Sequence, residues 1–127
     1  MINNKFEAYK IKREIKRSGS EYEFKRKEKN EFGELTDNEV IVGKLKGLYH
    51  EQSQTISVLT GDSTQYRTKK VPMILCLYDE AAFLNIGDLL TISKKTFKVT
   101  GLANISEWNI VADISMEEID YGRWTEN

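Results

Sequence analysis

The chain contains few of the residues from which metal sites and disulfide frameworks are built. Its 127 residues include one cysteine, one histidine and one proline, which are Cys76, His50 and Pro72. A single cysteine excludes an internal disulfide, and His50 has no cysteine partners with which to form a four-ligand zinc site. We therefore expect no metal and no cofactor. Cys76 lies in the apolar run 73–77, so we expect a small buried hydrophobe rather than a nucleophile.

Long apolar runs are also missing. No stretch approaches the roughly 20 apolar residues of a membrane-spanning helix, and none follows Met1 as in a secretory signal. The hydrophobic fraction of 39% still suffices for a modest core in one domain. We expect a single domain over 1–127, made and kept in a reducing cytoplasm, with no membrane contact.

Sequence patterns of catalysis are absent as well. Neither the P-loop nor the glycine-rich dinucleotide-binding fingerprint occurs in the chain. Asp79 and Glu80 are adjacent carboxylates at the start of a short helical segment, where acidic residues interact favourably with the helix dipole. Hydrolytic carboxylate pairs lie across a cleft, and nothing in the spacing indicates that arrangement. We expect no catalytic residues and no enzyme activity.

Charge is distributed unevenly along the chain. Residues 1–30 carry ten Lys or Arg against five Glu, whereas residues 102–127 carry six acidic residues and one Arg. Such a split can complement a neighbouring copy or a partner, although a solvated helix and a solvated tail would carry the same charges. Exposed Tyr, Arg and Trp are typical interface anchors. The candidate interface residues are Tyr9, Lys12, Arg13 and Lys16 near the start, and Tyr121, Arg123 and Trp124 in an acidic aromatic tail over 118–127.

The first 19 residues predict an N-terminal helix. Asn3 or Asn4 can cap its start and Ser18-Gly19 can end it. Its apolar stripe is narrow, consisting of Ala8, Ile11 and Ile15. A narrow stripe is typical of a helix that docks on a larger body.

Strand patterns dominate residues 20–117. Alternating apolar and polar residues indicate about six short antiparallel strands, with a turn at 30–33. Gly43 and Gly47 lie inside one long strand and indicate bulges or bends. The predicted fold is mainly β: a small antiparallel β-barrel of SH3-like or OB-like kind, or a compact sandwich, with an N-terminal helix and a long projecting hairpin loop over 51–66.

The segment 87–116 predicts the last strands of a meander. A turn at Lys94-Lys95 pairs Ile92 with Phe97 and Leu90 with Val99, and a loop over 93–96 keeps the Ile92–Phe97 pair. The chain is expected to turn again at 103–104. The following strand has Val111 on its wet face and an apolar face made of Trp108, Ile110, Ala112, Ile114 and Met116.

The hairpin over 51–66 is unusual in charge. Its predicted arms, 55–59 and 66–70, flank a turn at 61–63, and residues 52–61 carry no charge in a chain that is 31% charged. Phosphate binding is chiefly ionic, so an uncharged projection can touch a polyanion without holding it. An ordinary flexible hairpin would have the same composition.

Several segments together resemble a known family. They are residues 29–34, 46–51, 67–77, 86–88, 97–101 and 107–115, with Asn104. They are similar to the small neck proteins of tailed bacteriophages and prophages, the head-completion, head–tail connector or stopper family. The match is one of overall pattern over most of the chain and includes no catalytic signature.

The resemblance implies a structural virion protein. Copies would form a ring below the portal after genome packaging, close the DNA channel and offer a docking surface for the tail. The chain would be a monomer in solution, assemble in the host cytoplasm and reside in the virion neck. Its partners would be neck proteins on the portal or adaptor side and on the tail side, with packaged double-stranded DNA nearby.

The resemblance also implies a plug. In stopper-like members a loop between barrel strands blocks the lumen, and the segment that fits here is 52–66. The residues expected to line or plug the channel are Gln52, Ser53, Gln54, Thr55, Ser57, Thr60, Ser63 and Thr64.

Three other functions remain open from the sequence. The first is an adaptor or a tail-side joining protein in the same neck. The second is an OB-like module that binds single-stranded nucleic acid, which stacks bases on aromatics in a basic groove. Residues 31–127 carry nine basic and fifteen acidic residues, which disfavours that module. The third is a small host regulatory protein whose barrel grips a peptide.

Overall fold

The computed structural model describes residues 4–119, except for the side chains of residues 56 and 58. Within that range the chain forms one α-helix, six β-strands and two short 3-10 turns. The elements are α1 (Lys5–Ser18), β1 (Ser20–Lys29), β2 (Leu35–Thr60), β3 (Ser63–Leu77), β4 (Leu89–Ile92), β5 (Lys95–Asn104) and β6 (Val111–Ile119), with 3-10 turns at Asp79–Ala81 and Ile105–Glu107. The predicted mainly β fold with an N-terminal helix is confirmed.

The strands form one antiparallel sheet in a ring-like order. That order is β1-β2-β3-β6-β5-β4, and β4 returns to pair with β1. The β1–β4 contact consists of two residue pairs, Phe24 with Leu90 and Lys25 with Leu89. This is the shortest of the strand pairings among the described residues. The SH3-like or OB-like assignment stays a prediction.

The inward face of the closed sheet forms the main core. Alternation along each strand directs one set of side chains inward, and the predicted inward residues Leu90, Phe97 and Val99 are buried there. The other large buried side chains of this cluster are Phe24, Leu45, Ile74, Ile114 and Met116.

Helix α1 begins and ends as its sequence predicts. The Asn4 side chain accepts a hydrogen bond from the Glu7 backbone N–H at 2.9 Å, and the Gly19 N–H donates to the Ile15 carbonyl at 2.8 Å. Ala8 and Ile15 are buried against Leu77, Ile110 and Val111 of the sheet. The apolar stripe of the helix therefore builds a second, smaller core on the outer surface of the sheet.

The second core corrects two predictions about the last strand. Val111 was expected on a wet face, but it is fully buried because α1 covers that end of the sheet. Trp108 was expected in the strand, but β6 begins at Val111 and Trp108 packs against the second core from the preceding turn. The turn predicted at 103–104 lies at 105–110 instead, because β5 continues to Asn104. The Asn109 N–H donates to Asn104 Oδ1 at 3.1 Å across this connection.

The β4–β5 turn also differs from its prediction. It lies at Ser93-Lys94, both with positive φ, so Ile92 pairs with Lys95 and Leu90 with Phe97. The ladder is fixed at its other end by two backbone hydrogen bonds: the Val99 N–H donates to the Asp88 carbonyl, and the Gly87 N–H donates to the Val99 carbonyl, both at 2.8 Å. The predicted pairs were wrong by two residues, a shift that leaves each side chain on its predicted face.

The segment predicted as a loop over 51–66 is paired strand for most of its length. Strands β2 and β3 pair in continuous register from Gly47–Cys76 to Thr60–Ser63. Gly61-Asp62 forms the turn, and Gly61 has φ of 62°. Glycine reaches this region of φ without steric cost, so a tight turn fits here.

The two glycines inside β2 have different roles. Gly43 lies beside a bulge, because Phe24 pairs with Gly43 and Lys25 with Ile41. The bulge predicted at this glycine is confirmed. Gly47 is not bulged but tightly packed: a Cβ atom there would lie 2.3 Å from the Ile74 Cγ2 atom and 3.0 Å from the Leu75 carbonyl.

Replacing Gly47 tests this close packing. Gly47→Ala forces β2 away from Ile74, and overpacking of this kind costs about 1–3 kcal/mol. We expect the free energy of unfolding in urea to fall by about that amount. Ser57→Ala, at an exposed position of the same strand, should change it by less than about 0.5 kcal/mol. Equal stability of the two variants would show that the Gly47 contact is not tight.

Candidate functional site

One part of the sheet extends past its ring. Residues 51–60 of β2 and 63–72 of β3 pair with each other, and we call this two-stranded segment the ribbon. Pairing of β1 with β2 stops at Gly47, and pairing of β6 with β3 starts at Met73. The ribbon therefore has no third strand among the described residues. At about 3.3 Å per residue its strands span about 30 Å.

The ribbon is exposed along its length. Every described side chain from residue 51 to residue 70 is exposed. Leu59 and Tyr66 are its large exposed hydrophobic side chains in the described set, at 81% and 72%. Two-stranded hairpins are at best marginally stable in water without a packed face. The ribbon is therefore a segment whose order a partner can improve.

The predicted channel residues fall on both faces of the ribbon. Residues directly opposite in the register share a face, and successive residues alternate. One face contains four of the predicted residues together with Tyr66 and Thr68: Ser53, Thr55, Ser57 and Thr64. The other face contains the remaining four: Gln52, Gln54, Thr60 and Ser63. The structure brings the eight residues into one segment but not onto one surface.

Charge along the ribbon is graded. The β2 arm has no charged residue from 52 to 60, whereas the β3 arm carries Arg67, Lys69 and Lys70. Lys69 pairs with Gln54 and Lys70 with Ser53, so the cations lie toward the root of the ribbon. The tip carries one charge, on Asp62. The predicted plug segment ended at residue 66 and left these cations out, although the predicted arm over 66–70 contains them.

A groove of about 930 Å³ lies at the root of the ribbon. Its floor includes Tyr22, Tyr49 and Phe97. Partial burial, with the nearby charges of Glu51 and Glu118, raises the pKa of Tyr49. The charged side chains around the groove are balanced, with three lysines and three glutamates: Lys69, Lys70, Lys95, Glu51, Glu117 and Glu118. A balanced rim gives the groove no strong preference for a polyanion.

Helix α1 presents its charged face to solvent. Tyr9, Arg13 and Lys16 are exposed, and their i, i+4, i+7 spacing puts them on one face. Lys12 is partly buried beside them. The structure therefore brings together the four predicted interface residues of the helix. The other three, Tyr121, Arg123 and Trp124, lie outside the described residues.

The only cysteine and the only histidine of the chain lie within or between strands of the sheet. Cys76 is fully buried, and burial, followed by the charges of Asp113 and Glu80, raises the pKa of its thiol to about 12. His50 Nε2 lies 2.9 Å from Asp113 Oδ1 and links β2 to β6 across β3. Among residues 4–119, no three His, Cys, Asp or Glu side chains are grouped to hold a metal ion. Nor is any helix in that range long and apolar enough to cross a membrane.

An ion pair that the sequence did not predict closes the sheet. Arg26 donates from Nε to Asp88 Oδ1 at 2.7 Å and from Nη2 to Asp88 Oδ2 at 2.9 Å. Arg26 Nη2 also donates to the Phe83 carbonyl at 3.0 Å, and the Asn85 N–H donates to Asp88 Oδ2 at 2.9 Å. The hydrogen bonds to Asp88 raise the pKa of Arg26. One signal was present: alternation puts Arg26 on the inward side with Phe24, where a charge needs a partner.

No protein-family model matches this chain, and no curated protein matches it either. The resemblance to phage neck proteins therefore rests on the sequence segments given above.

The raised pKa of Cys76 predicts a pH dependence. The unfolded thiol ionises near its ordinary pKa of 9.0, whereas the folded thiol keeps its proton up to about 12. The unfolded state then binds fewer protons, so stability falls as pH rises between these values, by up to about 1.4 kcal/mol per unit. Wild-type protein should lose more stability than Cys76→Ala over this window, measured by urea unfolding.

The Cys76→Ala variant is the matched control because tyrosines and lysines titrate in the same window in both proteins. The difference between the two pH profiles isolates the thiol. Parallel profiles would contradict the buried, protonated assignment of Cys76.

Proposed function

We propose that this chain is a structural neck protein of a tailed phage or prophage, and that its ribbon closes the DNA channel below the portal. The observation that carries the proposal is the ribbon itself. It is a two-stranded segment of about 30 Å with no third strand among the described residues and an uncharged arm. A packed body that holds out such a segment is suited to filling a lumen.

The charge gradient of the ribbon supports a plug in contact with DNA. A tip whose one charge is the carboxylate of Asp62 lies against phosphates without ionic attraction, so it blocks the channel and still releases the genome. The cations Arg67, Lys69 and Lys70 lie nearer the body. In a ring of copies, these three cations would lie near the wall of the channel, and the tips of the ribbons would lie near its axis.

The helix supplies a surface for the rest of the neck. Its exposed face combines Tyr9 with Arg13 and Lys16, and an acidic surface on the portal or adaptor side would complement it. Each contact is small, so a ring gains strength from many simultaneous contacts. The chain is then monomeric in dilute solution and oligomeric in the virion, where its opposite side receives the tail. An adaptor or tail-side position in the same neck would use the same surfaces.

The single-strand nucleic-acid binder is the weaker candidate. Base stacking requires exposed aromatics inside a basic groove. The groove with Tyr22 and Tyr49 has balanced charge, and a second groove with Arg26, Lys27 and Lys29 has no aromatic lining residue in the described range. The aromatic side chains therefore lie in one groove and the excess of cations in the other.

Shortening the ribbon tests the plug. Replacing residues 53–70 with Asn-Gly keeps the Gln52–Val71 pair and closes it with a favoured two-residue hairpin turn. We expect the body to keep its melting temperature to within a few degrees, because the described ribbon side chains up to residue 70 are exposed. Packaged heads assembled with this variant should leak DNA, measured as nuclease-sensitive genome.

The control keeps the ribbon at full length and replaces only Gly61-Asp62 with Asn-Gly. It carries the same engineered turn and should give heads as tight as wild type. Tight heads with the shortened ribbon, in particles that contain the variant, would refute the plug.

A binding titration separates the two functions in purified protein. The neck assignment predicts no micromolar binding of a fluorescent single-stranded oligonucleotide at moderate salt. Micromolar binding that weakens steeply with salt would instead favour the nucleic-acid module.

A further inference from the structure

The turn between β1 and β2 is a rigid knob. The Asn30 side chain accepts hydrogen bonds from the Phe32 and Glu34 N–H groups, both at 2.9 Å. The Asn30 N–H donates to the Glu34 carbonyl at 2.8 Å, and Gly33 has φ of 80°. Phe32, at the top of this turn, is 77% exposed. These hydrogen bonds hold the backbone of the turn, which presents a large apolar side chain between two glutamates, Glu31 and Glu34.

A groove of about 560 Å³ lies beside the knob. Its apolar lining includes Ile86, which is 77% exposed, and Leu35, which is 67% exposed. Its charged lining residues are four cations and one carboxylate: Arg26, Lys27, Lys29, Lys98 and Asp88. Arg26 is bonded to Asp88, and Lys98 Nζ lies 3.2 Å from Glu117 Oε1. The lining cation whose charge the proposal uses is therefore Lys29, at the edge of an apolar groove.

The knob and the groove are complementary in chemistry. An aromatic side chain between two carboxylates matches an apolar groove with a cation at its edge. Within residues 4–119, no ion pair is formed by Glu31, Glu34 or Lys29. Exposed apolar surface and unpaired charge of opposite sign therefore lie on one end of the molecule.

The knob and the groove lie side by side on the same molecule, and this arrangement determines the symmetry of a contact between two copies. Lys29 and Leu35 pair with each other at the base of the turn, and both line the groove. A turn is too short to fold back into a groove at its own base. A patch that holds both a knob and its complement is self-complementary and fits a two-fold contact.

We propose that the groove of one copy receives Phe32 of a second copy, and that the exchange is reciprocal. Phe32 would lie against Ile86 and Leu35 of the other copy, with Glu31 and Glu34 near its Lys29. A two-fold pair closes on itself, so it is distinct from the ring and does not depend on the proposed function. The contact is smaller than the roughly 1,200–2,000 Å² of stable interfaces. It forms a weak pair at raised concentration and leaves a monomer in dilute solution.

Sedimentation of the purified full chain tests the pair across micromolar to millimolar protein. Wild type should convert from monomer to dimer, and added salt should weaken the association. Phe32→Ala should raise the dissociation constant about tenfold or more, because it removes the anchor. Phe6→Ala removes another exposed phenylalanine, on α1, and should leave association unchanged. Melting temperatures should match wild type for both variants.

A charge exchange tests the partner surface. Lys29→Glu alone and the double variant Glu31→Lys/Glu34→Lys should each self-associate more weakly than wild type. An equimolar mixture of the two should associate more tightly than either alone, because the lysine knob meets the altered groove and the glutamate knob meets the unaltered one. No recovery in the mixture would overturn the proposal.

Two further results would overturn it. One is a wild-type chain that stays monomeric over the whole range. The other is loss of the dimer when the chain is cut after Ile119, which would assign the groove to residues 120–127 instead of the knob. Association that survives this cut and is lost with Phe32→Ala supports the reciprocal pair.

Discussion

The ion pair between Arg26 and Asp88 closes the sheet where its backbone pairing is shortest. Only Phe24–Leu90 and Lys25–Leu89 pair between β1 and β4 in the described chain. Asp88 is 1% exposed and Arg26 is 37% exposed. A bidentate guanidinium–carboxylate contact is among the stronger charged interactions in proteins. Loss of one partner of a fully buried pair costs about 3–5 kcal/mol, and the solvent exposure of Arg26 lowers the cost here.

The two cores, the ribbon and the exposed face of α1 depend on this closure of the sheet. Asp88 also continues the β4–β5 ladder through the Val99 N–H, so the pair fixes the register that puts Phe97 and Val99 inside. The closed sheet then offers its outer surface to α1 through Ala8 and Ile15. The ribbon continues from β2 and β3, and its described side chains from residue 51 to residue 70 are exposed. A body that is stable by itself can hold out a segment that becomes ordered on contact with a partner.

Helix-capping and strand-alternation patterns predicted the parts of the fold that depend on neighbouring residues in the sequence. Asn4 and Gly19 cap α1 because their side chain and backbone satisfy the end groups of that helix. The alternation of apolar and polar residues correctly placed Leu90 and Phe97 in the core, because the apolar face of a strand is buried wherever the adjoining turn lies. The sequence predictions failed where burial or register depends on contacts between elements that are distant in the sequence. Val111 is buried because α1 covers it, and the turn at Ser93-Lys94 follows from a register fixed at Asp88 and Val99. The ribbon was recognised by its lack of charge, but the assignment of its residues to two faces required the register.

The most direct test of this account is site-resolved amide hydrogen exchange of the full chain beside its Asp88→Asn variant. The substitution removes the charge that Arg26 compensates, with almost no change in side-chain shape. The account predicts exchange at least about 30-fold faster in the closed sheet of the variant, equivalent to about 2 kcal/mol, with ribbon amides from 53 to 70 unchanged. Equal acceleration of body and ribbon, or none in the body, would contradict it.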